Sequence, residues 1–424
     1  MDEASYCRVR GSTARTGAES MNLFGLLFWL SVLLIVYVYL GYPMALTLLA
    51  RLRRKPAAYP SYLPTVTLLI AAYNEQDVIA SKLENTLALD YPPEKLQILV
   101  AADGSDDRTP EIVKGFELRG VELSYQPERR GKMAAINRVM PRVRNEIVLF
   151  SDANNLYNKD TLRELVKPFS DPKVGAVSGS KNIIGSGDTL TKADSLYWRY
   201  ESYIKMQETR LGSCTGVSGE ILAVRYNLYQ TPPDKVINDD FFIALGVLRQ
   251  GYRLVYMPSA RSFERSSLTE KDEDMRRSRI VAGRYQAMLM SAQLLPWRDP
   301  LLVWQIVSHK FMRPLVPLAM IVAFASNLLA ITFPSASLKT GMLALARPYA
   351  WIMLLLQLVF YASAWLGNML KGRGVLGKVL YIPTFLVNSN FSAFRGLISF
   401  LTGRQTTLWQ RARRQEFMAG AKQE

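Results

Sequence analysis

Three stretches of the chain contain no charged residue: Asn22 to Ala50, Pro314 to Leu338 and Pro348 to Leu370. Each exceeds the roughly 20 residues that a helix needs to cross a bilayer. A fourth, Val379 to Phe394, is shorter and carries Pro383, Asn388 and Asn390. The pattern leaves open whether it spans, re-enters or lies at the interface. From Val66 onward the periodicity changes, and short β-branched runs alternate with amphipathic segments. Strands are predicted at Val66–Ala72, Leu96–Ala102, Val121–Gln126 and Glu146–Phe150, with helices at about Asp77–Leu89, Arg108–Gly115 and Lys132–Val139. Such alternation predicts βαβ units and a parallel sheet covered on both faces. Ligands of sheets of this kind bind at the carboxyl ends of the strands. The second half is mixed, with strands at Val174–Ser178, Ile221–Arg225 and Arg253–Met257 and helices at Thr189–Leu211 and about Asp240–Gln250. Arg276 to Gln293 reads as an amphipathic helix with a basic face, suited to a membrane interface.

These patterns divide the chain into a polar N-terminal extension (1–21), an apolar helix (22–50) and a proline-punctuated linker (51–64). An α/β domain (65–270), amphipathic interface helices (271–310), two or three membrane segments (311–402) and a basic tail (403–424) follow. The sequence leaves the true start codon open. A formal net charge of +16 raises the question of an anionic partner. The basic residues sit beside apolar runs, however: Arg51, Arg53, Arg54 and Lys55 after the first, Arg411, Arg413 and Arg414 near the end. That placement fits a cytoplasmic membrane surface, and no nucleic-acid motif accompanies it. The α/β domain is therefore expected on the cytoplasmic side of a multi-pass inner-membrane protein. Three complete C-terminal spans would leave the basic tail outside, so the last segment is expected to re-enter or lie flat. Cys7, Cys214 and the single histidine, His309, exclude a disulfide framework and a His-rich metal centre. The spans hold too few polar groups for a transporter.

Candidate chemistry gathers where strands end. Ala71-Ala72-Tyr73-Asn74-Glu75 closes one strand and opens a helix, where amides and Glu75 could meet a base or ribose or simply cap the turn. Asp103 before Gly104 is either an Asp-Gly turn or an acceptor for a base N–H, which favours uracil. Arg129-Arg130-Gly131-Lys132 offers close backbone approach and a point charge for phosphate. Asp152-Ala153-Asn154 places an acid just past an apolar run, and Asp239-Asp240 is an adjacent acid pair in which at least one pKa is raised.

Taken in order, these strings resemble the nucleotide-sugar-binding half of membrane-bound family 2 glycosyltransferases, a group that includes poly-N-acetylglucosamine, hyaluronan and cellulose synthase-like enzymes. The resemblance runs from about Val66 to the C-terminus, its catalytic part to about Gly283. It implies an α/β GT-A domain with a mixed, mainly parallel sheet, flanked by N- and C-terminal transmembrane helices. The implied activity is inverting transfer of a sugar from a nucleotide-sugar, UDP-linked by preference, to a carbohydrate or lipid-linked acceptor in polysaccharide or exopolysaccharide synthesis. Ala72, Tyr73, Glu75, Asp103, Lys132, Asp152 and Arg279 would bind the donor. Asp152 and Asn154 would hold Mg2+ or Mn2+, and Asp240, beside Asp239, would be the general base. Ser218, Gly219 and Glu220, in Gly216-Val217-Ser218-Gly219-Glu220, would meet the acceptor, and the aromatic run Tyr197 to Tyr200 suits sugar rings. Membrane lipid and other polysaccharide-assembly proteins are the implied partners.

The chain departs from the family pattern at three places. Ala102 replaces a second acid before Asp103, and Asn154 is neutral where an acid is usual. The Gln-x-x-Arg-Trp motif of processive members has become Arg276-Arg277-Ser278-Arg279-Ile280, which keeps the arginine and loses the stacking tryptophan. Two alternatives follow: a non-processive enzyme adding one sugar to a lipid-linked acceptor, or an inactive membrane scaffold. His309-Lys310 and Trp409-Gln410-Arg411 read as interfacial anchors.

Overall fold

The computed structural model describes residues 13–53, 58–184, 189–265, 269–333, 342–343, 345–370 and 374–403. Arg54, Lys55, Cys7, most of the polar extension and the basic tail from 404, with Trp409, Arg411, Arg413 and Arg414, lie outside the described residues. In chain order the elements begin with α1 (Thr13–Val36), a π-helical turn, α2 (Tyr42–Leu52), β1 (Val66–Ala72), α3 (Ile79–Leu87), β2 (Leu96–Asp103) and α4 (Thr109–Lys114). Next come β3 (Val121–Gln126), α5 (Lys132–Val139), β4 (Ile147–Asp152), β5 (Asn155–Tyr157), α6 (Thr161–Val166), β6 (Val174–Ile184) and α7 (Thr189–Leu211). β7 (Leu222–Arg225), α8 (Asp239–Arg249), β8 (Arg253–Arg265), α9 (Glu270–Leu289), α10 (Ser291–Leu294) and α11 (Pro300–Ile306) follow. The chain ends with α12 (Val316–Thr332), α13 (Tyr349–Leu370), α14 (Gly374–Val379) and α15 (Tyr381–Leu401).

The chain divides into two compact units, Met44–Phe311 with Arg395–Glu424, and Met1–Pro43 with Met312–Phe394. The larger unit is built on one eight-stranded sheet ordered β3-β2-β1-β4-β7-β6-β8-β5. Strands β3, β2, β1 and β4 run parallel, β7 is antiparallel to β4 and β6, and β6 runs parallel to β8. All seven residues of β1 are buried, as expected of a central strand covered on both faces. Successive side chains alternate between those faces. Leu68, Ile70, Ile147 and Leu149 enter one core with α3 and α6, whereas Leu69, Val148 and Phe150 enter the other with α5 and α8. Each such side chain contributes roughly 1.5–3 kcal/mol by leaving water.

Chain direction reverses the strand order at β1, which has β2 on one side and β4 on the other. Register puts Ala71 opposite Asp152 and Ala72 opposite Ala102, so the ends of β1, β2 and β4 share one edge. A crevice opens at such a switch point. Three strands differ most from expectation. β6 and β8 extend well beyond their predicted ends, because they pair with each other through a bulge between Gly179 and Ser180 and on to Ile184 and Arg265. The three-residue β5 was not predicted; it exists by pairing Asn155 with Glu264 on β8.

In the smaller unit α1 packs on α12, with Phe28 against Ala323 and Ala330. The Trp29 indole donates to the Met342 carbonyl at 3.2 Å. Asn368 on α13 and Asn388 on α15 exchange amide hydrogen bonds of 3.2 and 2.8 Å. Among the described residues three helical stretches, Leu23–Leu52, Pro300–Thr332 and Tyr349–Leu370, are long and apolar enough to cross a membrane.

Candidate active site

The turn after β1 is locked to the turn after β2. Asn74 adopts a left-handed conformation (φ 52°), which asparagine tolerates because its side chain bonds locally. Its Nδ2 donates to Asp106 Oδ1 at 2.6 Å, and its Oδ1 accepts from the Asp106 amide at 3.0 Å. The Glu75 amide donates to Thr109 Oγ1 at 2.8 Å, and the residue is 2% exposed. Glu75 is thus buried beside the cleft, which is lined by Ala71, Ala72, Tyr73, Ala101, Asp103, Arg129, Gly131, Lys132 and Ala135.

Asp103 organises the opposite wall. Its two carboxylate oxygens accept from the amides of Arg130 (3.0 Å) and Gly131 (2.6 Å). Gly104 has φ +66°, and a β-carbon there would lie 2.7 Å from the Arg129 backbone, so the loop can close down only over glycine. This fold of the loop starts α5 at Lys132. The Arg129 guanidinium lies over the Tyr73 ring at 3.7 Å, so the two close the cleft mouth as a stacked pair.

Lys132 is the hub of an acidic cluster drawn from distant segments. Its ammonium lies 2.8 Å from Asp152 Oδ1 at the end of β4 and 3.3 Å from Asp239 Oδ2 at the start of α8. Burial works against a charged lysine, yet Asp152, Asp239 and Asp240 together push its pKa above the ordinary value. For Asp240 burial comes first and the neighbouring Asp239 second; against the pull of Lys132 and the Phe241 amide they raise it to about 6. Gly219 lies directly against Asp240.

Helix α9 packs on the same segment. Its N-terminus is capped by the Thr269 hydroxyl, which accepts from the Asp272 amide at 3.1 Å. Asn238 Nδ2 donates to the Ile280 carbonyl at 2.8 Å, and any side chain at Gly283 would collide with Asn238. Arg279 reaches the Ile237 carbonyl at 3.5 Å, and its Nε is shut from solvent without a hydrogen bond. Arg276 and Arg277 instead grip Glu273, each at 2.7 Å; burial would raise that carboxyl, but the two arginines pull it down to about 2.

The family model described as "Glycosyltransferase like family 2" matches residues 64–280, just over half of the 424 residues. The chain belongs to this family. Poly-beta-1,6-N-acetyl-D-glucosamine synthase of Staphylococcus aureus is 29% identical over 252 residues, 57% of this chain and 60% of that protein. Beta-monoglucosyldiacylglycerol synthase of Trichormus variabilis is 31% identical over 181 residues, 42% of this chain and 39% of that one. The match thus spans about 60% or less of the length of these relatives. Among solved structures, the mannosyltransferase PcManGT from Pyrobaculum calidifontis, in complex with GDP-Man and Mn2+, has a TM-score of 0.63 at 22% identity, covering 89% of this chain and 100% of that one. The likeness shows that the family 2 domain has the GT-A-type fold expected from its motifs.

Asn154 Oδ1 is shut from solvent with no hydrogen-bond partner, two residues from Asp152. Amide and carboxylate oxygens are donors of the kind a hard cation such as Mg2+ or Mn2+ takes. Among the described residues no group of three or more His, Cys, Asp or Glu side chains is placed to hold a metal. An ion at Asp152 and Asn154 would accordingly draw its remaining oxygens from diphosphate and water, the usual habit of Mg2+.

The Gly216–Glu220 turn, expected to meet the acceptor, is engaged on both of its sides. Ser218 donates its amide to Ser178 Oγ at 3.1 Å, and Gly219 meets Asp240. The Glu220 carboxylate turns inward, 2.5 Å from Lys181 Nζ and accepting from Ser262 Oγ at 3.0 Å; Lys181 also pairs with Glu264. That network continues beneath Asp152. Asn155 Nδ2 donates to Ser262 Oγ at 2.9 Å, and the fully buried Lys82 donates to the Asn155 carbonyl at 2.9 Å. Sequence reasoning named Arg129 in its string without the stack on Tyr73, and missed Lys82, Lys181 and Glu273. Glu273 carried a signal, its place three and four residues before Arg276 and Arg277; Lys82 and Lys181 carried none. His309 and Lys310 correct another expectation: they are 1% and 6% exposed, His309 lying against Glu201 and Glu208 and Lys310 paired with Glu201, rather than anchored at an interface.

Proposed function

We propose that the chain is an inverting glycosyltransferase that moves a sugar from a nucleotide-sugar, UDP-linked by preference, to a carbohydrate or lipid-linked acceptor in polysaccharide synthesis. One observation carries this reading: Asp152 at the end of β4 and the adjacent Asp239 and Asp240 at the start of α8 converge on Lys132 beside the strand-end cleft. The nucleotide would enter between Tyr73 and Asp103, with Ala72 and the Arg130–Gly131 turn as its floor. Lys132 and Arg279 would balance charge on the diphosphate. A Mg2+ or Mn2+ ion held by Asp152 and Asn154 would supply Lewis-acid charge to the leaving group. Asp240 takes the proton of the acceptor hydroxyl as that oxygen attacks the anomeric carbon; the bond to the diphosphate breaks, and configuration inverts. A pKa of about 6 suits a base working near neutral pH. Ser218 and Gly219 would carry the acceptor beside it. Glu220, engaged by Lys181, supports that turn from below instead of touching sugar.

The apolar helices support a multi-pass membrane protein, with the positive-inside rule putting the catalytic unit on the cytoplasmic face of the inner membrane. Ile280, where processive members have an aromatic, favours a second form of the reading: a single addition to a lipid-linked acceptor. The test is release of UDP from a panel of UDP-sugars by the purified protein with Mn2+ and a membrane extract, followed by mass analysis of the product. No release from any donor would overturn the reading. Equal phenotype for wild type and Asp240→Asn would point to a scaffold.

A further inference from the structure

A second buried charged cluster lies behind the acceptor-side turn, apart from the nucleotide cleft. Glu201 and Glu208 lie two turns apart on one face of α7. Their carboxylates hold the two ring nitrogens of His309: Nδ1 is 2.7 Å from Glu208 and Nε2 is 2.9 Å from Glu201. Lys310 Nζ is 2.8 Å from Glu201. Glu208 also grips the turn itself, accepting from the Thr215 amide at 2.8 Å and the Thr215 hydroxyl at 2.9 Å. That hydroxyl is 3.3 Å from His309 Nδ1. Lys205 reaches Ser218 Oγ at 3.3 Å, and a β-carbon on Gly216 would lie 2.8 Å from Lys310 Nζ.

Glu208 is 0% and His309 1% exposed. Burying so many charges costs desolvation that their attraction barely offsets, and apolar residues of similar volume would stabilise the fold as well. What apolar residues could not do is hold the backbone of Thr215 to Gly219 in one place from behind. The front of the same turn presses on Asp240 through Gly219.

We propose that Thr215, Glu208 and His309 are positioning residues. They hold the Thr215–Gly219 turn against Asp240, so that an acceptor hydroxyl and not water occupies the place facing the base. This inference rests on the glycosyl-transfer reading of that site. When the turn slackens, water competes: the donor bond still breaks, the base takes a proton from water, and free sugar is released in place of extended acceptor.

The experiment compares Thr215→Val, isosteric but without the hydroxyl, with Thr215→Ser, which keeps it. For each, donor hydrolysis and transfer to acceptor are measured side by side, together with nucleotide binding in Mn2+. Thr215→Val is expected to raise the ratio of hydrolysis to transfer roughly tenfold and to raise the acceptor KM, with donor KM and nucleotide affinity as in wild type. Thr215→Ser restores the wild-type ratio. A merely structural role would lower both reactions together and leave the ratio alone; that result overturns the inference. Should Thr215→Val yield little folded protein, Thr215→Ala, which also removes the hydroxyl that donates to Glu208, is judged by the same ratio. A wild-type protein that neither hydrolyses nor transfers from any donor would overturn the transfer reading itself, a distinct outcome.

Discussion

Gly219 lies so close to Asp240 that a β-carbon on the glycine would sit 3.1 Å from Asp240 Cβ and 3.3 Å from Oδ2. Contacts that tight oblige one side to give by a few tenths of an ångström, and the Thr215–Gly219 turn is clamped from behind. Asp240 is the side that moves. Gly219→Ala is therefore expected to lower kcat roughly tenfold while donor KM stays near wild type, since Asp103 and Lys132, the groups proposed for the donor, belong to other elements. Steady-state kinetics with donor and acceptor varied separately checks this; an unchanged kcat would show that the base does not depend on the glycine.

Asp240, the proposed base, is also expected to set the pH dependence. Its pKa is raised to about 6, chiefly by burial and then by Asp239. A protonated carboxyl cannot take the acceptor's proton, so transfer should fall as pH drops through about 6 and level off above it. Asp240→Asn keeps the shape without the basicity and should lose on the order of 10²–10⁴-fold in kcat, with nucleotide binding retained. A wild-type pH–rate profile flat from pH 5 to 7 would contradict the assignment.

Removing the hub of the cluster should be felt without any substrate. Lys132→Met leaves Asp152, Asp239 and Asp240 without the ammonium 2.8 Å from the first and 3.3 Å from the second. Breaking a partly buried pair this way costs on the order of 2 kcal/mol. Mn2+ supplies replacement charge, so its stabilising effect in thermal melts should be larger in the variant than in wild type. Equal shifts would mean that Lys132 and the ion do not answer to the same carboxylates.

Lys82 gives a stability signature away from catalysis. Burial lowers its pKa from 10.5 to about 7, with Asp152 and Glu220 opposing. Between those values the unfolded chain holds a proton that the folded one has released, so folding stability rises with pH across the window and flattens above it. Relative to Lys82→Met, wild type should gain a few kcal/mol between pH 7 and pH 10.5. Parallel melting curves for the two proteins across that range would exclude a buried, titrating lysine.

Much of this protein is local in origin. The spans of β1, β3, α5 and α7 match their hydrophobic periods, because each is decided by which residues of a short segment can face a core. The strand-end positions of Asp103 and Asp152 follow equally from sequence, since an acid after a buried run has only the sheet edge to occupy. Partnership was decided elsewhere. β5 and the long ends of β6 and β8 exist only through each other's backbone groups. Glu273 with Arg276 and Arg277 is a local i,i+3 and i,i+4 pattern within α9, but nothing in it showed that α9 docks against Asn238. Glu220, Lys82 and His309 are polar residues that any pattern assigns to surface, turn or interface, yet each is buried. A charge can stay inside only where distant segments bring compensating groups to hydrogen-bonding distance, and no stretch of sequence contains both halves of that bargain.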